Sequence, residues 1–371
     1  MAIVDQVNVT LDLRLEDWQY PVPPFIISDL VELLRTEWTR SDFDWLEAMH
    51  GDYGRDLTIS SVIARHGDRP VATASALFSR QNPEIALLGN VLTLREFRGR
   101  GIGGRVVEAA VELAAKAGCR ICLLGTQAID GNIYRRHGFD WHRGVVMRRQ
   151  LNESAPLEAE YFRADRPTEI RAANWGDLPG LTFLAIQHLD TLLLDYPRGL
   201  VSGQSEQLDR CVSIFPMLME DVRTHGGTLV VLAESGNGRV FGFATVTLGG
   251  RAAQLRTATI DVAVHDHYLD QGPALVQWLL DYCERQDVGS VQAWVAEVDA
   301  AKLGWLQQAG FKPLTKLRSA LCVNGKTSDV ILLDCSIRQR GVRVDATDER
   351  GVVLHPHHRS RPGLIAHSDG E

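Results

Sequence analysis

Several features that mark other protein classes are scarce or absent in this chain of 371 residues. It has six cysteines, too few and too widely spread for a disulfide scaffold or a zinc site. No apolar run reaches the length of about 18 residues that a membrane span needs. The start, Met1 to Asp5, lacks the basic and apolar regions of a secretory leader. We therefore expect a cytoplasmic protein with no membrane partner and no bound metal.

An excess of positive charge is also missing. The chain has 39 Lys and Arg against 47 Asp and Glu, which gives a formal net charge of −8. A nucleic-acid-binding surface usually shows the opposite balance, so we expect no nucleic-acid partner. Neither G-x-x-x-x-G-K-[ST] nor G-x-S-x-G occurs, so the P-loop and the serine-hydrolase elbow have no sequence support.

The most informative feature present is a turn rich in glycine and arginine, Arg98-Gly99-Arg100-Gly101-Ile102-Gly103-Gly104. An apolar run from Ile85 to Leu94 precedes it, and a helical pattern from Val106 to Ala117 follows. This order predicts a strand, a turn and the start of a helix. Glycines let a ligand approach the backbone closely, and a helix N-terminus favours anions. The turn is therefore a candidate phosphate-binding site.

Two other interpretations of this turn have to be weighed. Gly99-x-Gly101-x-x-Gly104 also satisfies the dinucleotide-binding fingerprint. That fingerprint calls for an acidic residue about 20 positions later, at the end of the second strand. The next predicted strand, Arg120 to Thr126, contains no acidic residue. A glycine turn that serves only helix packing is the other alternative.

A second motif, Asn132-Ile133-Tyr134-Arg135-Arg136-His137-Gly138-Phe139, follows a further apolar run, Cys119 to Gly125. This part of the chain resembles the GCN5-related N-acetyltransferase (GNAT) family. The resemblance lies in the order of its elements: a strand, an R-x-x-G-x-G turn, a helix, a second strand and a Y-x-x-x-G-F motif. The resemblance implies an α/β (α+β) fold with a mixed, mostly antiparallel central sheet flanked by helices. It also implies acetyl-CoA as co-substrate and direct attack of an amine on the acetyl carbonyl.

The resemblance assigns roles to individual residues. Arg98, Gly101 and Gly103 match the pyrophosphate-binding signature, and Tyr134 matches the general-acid tyrosine. Backbone N–H groups of the fourth strand would polarise the thioester carbonyl, as oxyanion donors do. The residues expected to bind acetyl-CoA are Val91, Leu92, Thr93, Arg98, Gly99, Arg100, Gly101, Ile102, Gly103, Gly104 and Asn132.

The general base is left open by the sequence. The family often places a Glu on the fourth strand, where this chain offers Glu84 near the start. Asn90 cannot accept a proton at neutral pH, but it could orient a water or the substrate amine. Glu37, His50 or a water chain are further alternatives. The acidic and aromatic region 37–56 would border the acceptor pocket and suit a cationic amine, although a solvated amphipathic helix explains it as well.

The second half of the chain repeats the order and spacing of the first. Gly101 and Gly138 are 37 positions apart, and Gly272 and Gly310 are 38 apart. A repeat of this length indicates duplicated domains. We predict a GNAT domain over residues 1–152, a linker over 153–168, a degenerate GNAT domain over 169–336 and a mostly disordered tail over 337–371.

The two predicted copies are not equivalent. Arg98, Gly103 and Tyr134 of the first copy correspond to Leu269, Ala274 and Leu306 of the second. Pro273 also removes one backbone donor from the second turn. The arrangement is similar to tandem acetyltransferases such as mycothiol synthase, but here the intact copy is N-terminal, so no substrate is implied.

The expected function is transfer of an acetyl group from acetyl-CoA to a primary amine of a small molecule, with the N-terminal copy catalytic. We expect a monomer or a homodimer. Two alternatives stay open. One is an acyl-CoA-binding scaffold or sensor without turnover, and the other is an acetyltransferase that acts on protein lysines or N-termini.

Overall fold

Two seven-stranded mixed sheets, each flanked by helices, make up the described part of the chain. The computed structural model describes residues 12–37, 46–126, 132–143, 145–152, 156–195, 200–201, 209–249, 256–323 and 326–337. The expectation of two α/β bodies of the same kind is confirmed.

The first sheet has the strand order β1-β2-β3-β4-β5-β7-β6. Its strands are β1 Leu13–Gln19, β2 Leu57–His66, β3 Arg69–Ser79, β4 Ile85–Thr93, β5 Ile121–Gly125, β6 Asp140–Arg143 and β7 Val146–Gln150. Its helices are α1 Pro24–Arg35, α2 Leu46–His50, α3 Ile102–Lys116 and α4 Asn132–Arg135. Strands β4 and β5 pair in parallel, and the other neighbouring pairs are antiparallel.

The second sheet repeats this topology as β8-β11-β12-β13-β14-β16-β15. Its strands are β8 Thr168–Ala172, β11 Thr228–Glu234, β12 Val240–Leu248, β13 Thr257–Val264, β14 Ser290–Ala296, β15 Lys312–Val323 and β16 Lys326–Ser336. Two short strands, β9 Leu194–Asp195 and β10 Leu200–Val201, pair separately. The helices are α5 Leu157–Tyr161, α6 Leu178–Ala185, α7 Asp209–His225, α8 Gly272–Arg285 and α9 Ala300–Gln308. The parallel pair, β13 and β14, again follows three antiparallel strands.

Helix α3 covers one face of the first sheet because its apolar residues recur with helical spacing. Val106, Ala110 and Ala114 are fully buried and pack with sheet residues such as Val62 and Ala74. Since these side chains are mostly small, the helix approaches the strands closely. The start of α3 is thereby fixed at the end of β4.

The opposite face of the first sheet is buried against the second half of the chain. Ile85 and Leu123 belong to the same core cluster as Phe183 of α6 and Phe215 of α7. The segment predicted as a polar linker carries α5, and its residue Tyr161 is buried. The hydroxyl of Tyr161 accepts the N–H of Val240 at 2.9 Å. The connection is therefore a packed element, and the domain boundaries stay a prediction.

Some predicted elements differ from the structure. The sequence pattern predicts a first strand over Val7–Leu13, but β1 begins at Leu13, and residues 1–11 lie outside the described ranges. The pattern of Leu178–Asp195 predicts a helix, but α6 ends at Ala185. The chain then runs irregularly because side chains elsewhere bind its N–H groups, as shown below. The predicted tail, from residue 338 on, also lies outside the described residues. Among the helices described, none is long and apolar enough to cross a membrane.

Candidate active site

The glycine turn connects β4 to α3 with two residues in the left-handed region. Gly99 has φ +76° and Gly101 has φ +75°. A Cβ at either position would meet nothing within 4 Å. Backbone conformation therefore explains why glycine is needed at these two positions. The space beside them is open, and a ligand could approach the backbone there.

The first turn of α3 presents N–H groups toward this open space. The first four N–H groups of a helix have no partner within the helix, and the helix dipole favours an anion beside them. Within the described ranges, no N–H group from Gly99 to Gly104 donates to another group. The turn is therefore equipped to bind phosphate oxygens through its backbone.

The arginines of the turn already have partners. Arg98 donates from Nε to the carbonyl of Thr93 at 2.9 Å and forms an ion pair with Glu37. The guanidinium of Arg100 lies 5.6 Å from the centre of the Phe97 ring. Glu37 therefore neutralises Arg98, which makes it a poor candidate for the general base. A polyanion at the turn would compete with Glu37 for Arg98.

Three segments that are distant in sequence meet at the start of α3. A Cβ at Gly103 would lie 2.9 Å from Cδ1 of Ile133 and 3.1 Å from Oγ1 of Thr93. A Cβ at Gly104 would lie 2.3 Å from Nε2 of His137. The end of β4, the start of α3 and the Asn132–Arg135 helix are thus in contact, and glycine is required for it. The two sequence motifs converge on one place.

Tyr134 lies on α4 between these two contacts. It is half-buried, and its ring packs edge to face on Phe139 at 6.1 Å between ring centres. Burial raises the pKa of the Tyr134 phenol above its ordinary value, so the hydroxyl keeps its proton at neutral pH. In the described part of the chain, this hydroxyl has no hydrogen-bond partner. Asn132 begins the same helix.

Strand β4 separates from β5 before it reaches the turn. Their pairing ends at Leu87 and Leu123. Beyond this point a gap lies between β4 and β5. Leu94 donates its N–H to the carbonyl of Val71 of β3, so the N–H of the preceding residue, Thr93, points to the opposite side, into this gap. Asn90 has φ +53° in a bulge of β4, where two residues oppose one residue of β3. The gap therefore has a strand edge with a free donor.

Glu84, the expected base on this strand, is occupied by an ion-pair cluster. Its two carboxylate oxygens accept from Nε and Nη2 of Arg239, each at 2.7 Å, and one also accepts from Arg120 at 3.2 Å. Burial favours the neutral acid, but these two guanidinium groups outweigh it and hold the pKa of Glu84 below its ordinary value. A carboxylate paired in this way is not available as a base. The structure instead gives Glu84 the role of joining the two sheets.

Part of the acidic and aromatic region beyond Glu37 lies outside the described residues, namely 38–45. Of the remainder, Tyr53 stacks on Trp175 of the second half with 3.8 Å between ring centres. Its hydroxyl donates to Glu47 at 2.6 Å. The described end of this region is therefore packed against the second half. His50 is exposed at the end of α2.

The corresponding gap in the second sheet is filled by the chain itself. The pairing of β13 and β14 ends at Ile260 and Ala293, and the end of the segment 189–195, strand β9, contacts both strands. The hydroxyl of Thr191 accepts the N–H of Val264 at 2.7 Å and donates to the carbonyl of Val264 at 2.8 Å. Val264 lies 171 positions after Thr93, the same offset as from Gly101 to Gly272. The gap-facing peptide of the second sheet is therefore already satisfied.

A buried ion cluster closes the same gap. Nζ of Lys302 lies 2.6 Å from Asp261 and 3.7 Å from Asp299, and it donates to the carbonyl of Leu192. The same two carboxylates accept the N–H groups of Leu194 and Leu192, respectively. Burial raises the pKa of Asp261 to about 6, against the opposing effect of Lys302. These contacts hold residues 189–195 in an irregular path.

The start of α8 is covered as well. A Cβ at Gly272 would lie 2.3 Å from Cε2 of Trp305. Trp305 stands five positions before Gly310, as Ile133 stands five before Gly138. A 3-10 turn over Asp266–Gln271 replaces the left-handed glycines of the first half. The indole thus covers the face of the helix start that is open in the first half.

One group of possible metal ligands occurs in the described part of the chain. Ligand atoms of His188, Asp190 and Asp266 lie within 4.8 Å of one another. Asp266 already accepts the N–H of Asp190 at 2.8 Å, and the side chains of His188 and Asp190 are exposed. We assign no metal to this group.

Sequence reasoning missed the contacts that distinguish the two gaps. Residues 189–195 were predicted as helix, and Lys302 lies on a helix where a lysine is expected to face solvent. Sequence reasoning also missed Ser61 and Ser75, which stand at inward positions of β2 and β3. Their alternation with Ile59, Ile63 and Leu77 was a signal that could have found them.

Comparison with known proteins agrees with the first motif block. Residues 27–139 match the family model described as the acetyltransferase (GNAT) family. No curated protein sequence matches the chain. The match confirms the predicted GNAT resemblance for this part of the chain, and with it the expected class of enzyme, an N-acetyltransferase.

Among solved structures, ribosomal-protein-alanine N-acetyltransferase from Brucella melitensis is 18% identical, with a TM-score of 0.37. The alignment covers 46% of this chain and 99% of that one. A putative acetyltransferase from Salmonella typhimurium, solved with its cofactor acetyl-CoA, is 20% identical with a TM-score of 0.37. This alignment covers 49% of this chain and 98% of that one.

Proposed function

We propose, from the membership of residues 27–139 in the GNAT acetyltransferase family, that the first half of this chain transfers an acetyl group from acetyl-CoA to a primary amine of a small molecule. The observation that carries the proposal is the convergence at Gly103. There the open glycine turn, the free strand edge of β4 and the helix bearing Tyr134 are in contact. In the second half, Thr191 binds the strand edge and Trp305 covers the helix start.

Each part of the site has a task in this reaction. The N–H groups of the Gly99–Gly104 turn would bind the pyrophosphate, and Arg98 would exchange Glu37 for a phosphate. The N–H of Thr93 points into the gap, where it would bind the pantetheine arm or polarise the acetyl carbonyl. Asn132, Val91 and Leu92 stay predicted contacts of the donor.

The chemical step is a direct displacement. The nitrogen of the neutral amine attacks the carbonyl carbon, the new C–N bond forms, and the C–S bond breaks. Tyr134 donates its phenolic proton to the leaving sulfur, the amine nitrogen loses a proton to solvent, and the phenolate of Tyr134 takes a proton back from solvent. The raised pKa of Tyr134 keeps this proton in place until the thiolate develops.

A thiol-release assay with a panel of small primary amines tests the proposal. Amine-dependent release of coenzyme A, with the acetylated amine found by mass spectrometry, is the expected result. Transfer only to peptide lysines or N-termini would replace the small-molecule acceptor by a protein. Binding of acetyl-CoA without turnover on any amine would favour the scaffold or sensor alternative.

A further inference from the structure

Two buried hydroxyl groups lie opposite each other on a largely apolar face of the first sheet. Ser61 of β2 and Ser75 of β3 are directly opposite each other, and they are 0% and 2% exposed. Their neighbours on the same face, such as Ile59 and Leu77, belong to the hydrophobic core. Burying a hydroxyl costs free energy unless it is hydrogen-bonded, so we expect both serine hydroxyls to have hydrogen-bond partners.

The two serines are the middle of a hydrogen-bonded chain. The hydroxyls of Tyr20 and Ser61 are 2.8 Å apart, and those of Ser61 and Ser75 are 2.7 Å apart. Nδ2 of Asn90 donates to the hydroxyl of Ser75 at 3.3 Å. Tyr20 follows β1 and is 5% exposed. These hydrogen bonds thus cross the sheet from the end of β1 to the bulge of β4.

This chain fixes the carboxamide of Asn90. Its nitrogen is tied to β3 by Ser75, and the planar amide directs Oδ1 away from Ser75. The left-handed backbone at Asn90, with φ +53°, belongs to the bulge of β4. No partner for Oδ1 is found among the residues that the structure describes. Asn90 therefore offers a neutral, oriented acceptor three positions before Thr93, whose N–H faces the gap.

Resting on the function proposed above, we propose that Asn90 accepts an N–H of the acceptor amine and that Ser75, Ser61 and Tyr20 are positioning residues that hold it for this task. A neutral primary amine can donate one N–H to Oδ1 and still direct its lone pair at the acetyl carbonyl. An amide oxygen carries no charge, so it does not favour the unreactive ammonium form as a carboxylate does. The carboxamide would therefore orient the amine without adding a negative charge that stabilises its ammonium form.

Steady-state kinetics of three variants test the proposal. Asn90→Gly removes the carboxamide and keeps the left-handed backbone accessible. Ser75→Ala removes the group that orients it, and Tyr20→Phe removes the far end of the chain. We expect kcat/KM for the amine to fall about 10- to 100-fold in Asn90→Gly, about 3- to 10-fold in Ser75→Ala and less in Tyr20→Phe. The Kd of acetyl-CoA should stay within about twofold of wild type, since no donor contact is removed.

Thr73→Val is the matched control. Thr73 is 0% exposed on the same face of β3, and its hydroxyl has no hydrogen-bond partner in the described part of the chain. Its replacement removes a buried hydroxyl of the same sheet and should leave kcat/KM for the amine at the wild-type value. If the control loses as much as Ser75→Ala, the effect is structural and the proposal is wrong.

The failures of the two proposals are distinguishable. A wild-type protein that acetylates no amine contradicts the proposed function itself. A wild-type protein that turns over while Asn90→Gly and Ser75→Ala keep the wild-type kcat/KM for the amine contradicts only the role of the chain. A Ser75→Ala variant that loses affinity for acetyl-CoA by the same factor as it loses kcat/KM for the amine also contradicts this role. Tyr20→Phe tests the same role at a residue further from Asn90.

Discussion

The two halves share a topology, but they differ at the gap beside the fourth strand of each sheet. The gap beside β4 is open, whereas the gap beside β13 is filled by the chain itself. In the first half, the N–H of Thr93 faces the gap, and the Gly99–Gly104 turn is open. In the second half, Thr191 binds both backbone groups of Val264, and Trp305 covers Gly272. A repeated topology can therefore keep every strand while its own side chains satisfy the backbone groups that the other half leaves exposed.

The residue at the bulge position shows the same contrast. Asn90 in the first half has a left-handed backbone and a carboxamide tied to Ser75. The residue 171 positions later is Asp261, which lies in a regular stretch of the pairing with β12 and binds Lys302 at 2.6 Å. In the described residues, the first position keeps an amide oxygen without a partner, whereas the carboxylate of the second is bound within the fold.

The largest effect is expected at Tyr134. Tyr134→Phe should lower kcat about 10²- to 10⁴-fold and leave the Kd of acetyl-CoA nearly unchanged, because the hydroxyl acts on the developing thiolate. Kinetics and calorimetry on the same preparation separate the two quantities. Tyr282→Phe, which removes a tyrosine hydroxyl from α8 of the second half, is the control and should leave kcat as in wild type. An unchanged kcat in Tyr134→Phe would remove this residue from the mechanism.

A large effect on stability, without an effect on chemistry, is expected at Lys302. Lys302→Met leaves Asp261 and Asp299 as buried carboxylates without their cation, which typically costs about 3–5 kcal/mol of unfolding free energy. Urea unfolding measures it, with Lys312→Met on an exposed lysine of β15 as the control. Variants of equal stability would show that this cluster does not hold residues 189–195 in the gap.

A smaller, pH-dependent effect is expected at Glu84. Its folded pKa is depressed, so its contribution to stability is complete above the ordinary value of 4.5 and is lost as pH falls through the folded pKa. Glu84→Gln should lower the unfolding free energy by about 1–3 kcal/mol at neutral pH. The difference from wild type should shrink as the pH falls below 4.5. A difference that is constant between neutral and acidic pH would contradict the ion-pair role.

Much of this contrast could be predicted from local sequence, and some of it could not. The turn at Gly99–Gly104 and the helix after it were predictable because glycine conformation and helix patterning are local properties. The replacement of Arg98 and Tyr134 by Leu269 and Leu306 in the second half was visible for the same reason. The filling of the second gap was not, because Thr191 meets Val264 across 73 positions. The hydroxyl of Thr191 can bind the backbone of Val264 in place of a neighbouring strand only after the sheet has formed.

The ion pairs of Glu84 were not predicted for a related reason. Its position next to the fourth strand suggested a base, but its partner Arg239 lies 155 positions away, directly before β12. No local pattern indicates such a pairing. The polar chain from Tyr20 to Asn90 likewise depends on the register of β2 and β3, which places Ser61 opposite Ser75.

The measurement that tests the central claim most directly is a calorimetric titration of acetyl-CoA into the full chain. The contrast between the two gaps predicts one site per chain. Gly101→Glu should abolish this site, because it places a carboxylate at the open helix start, whereas Ala274→Glu at the start of α8 should leave it intact. Two sites per chain, or a site that survives Gly101→Glu and is lost in Ala274→Glu, would contradict the account.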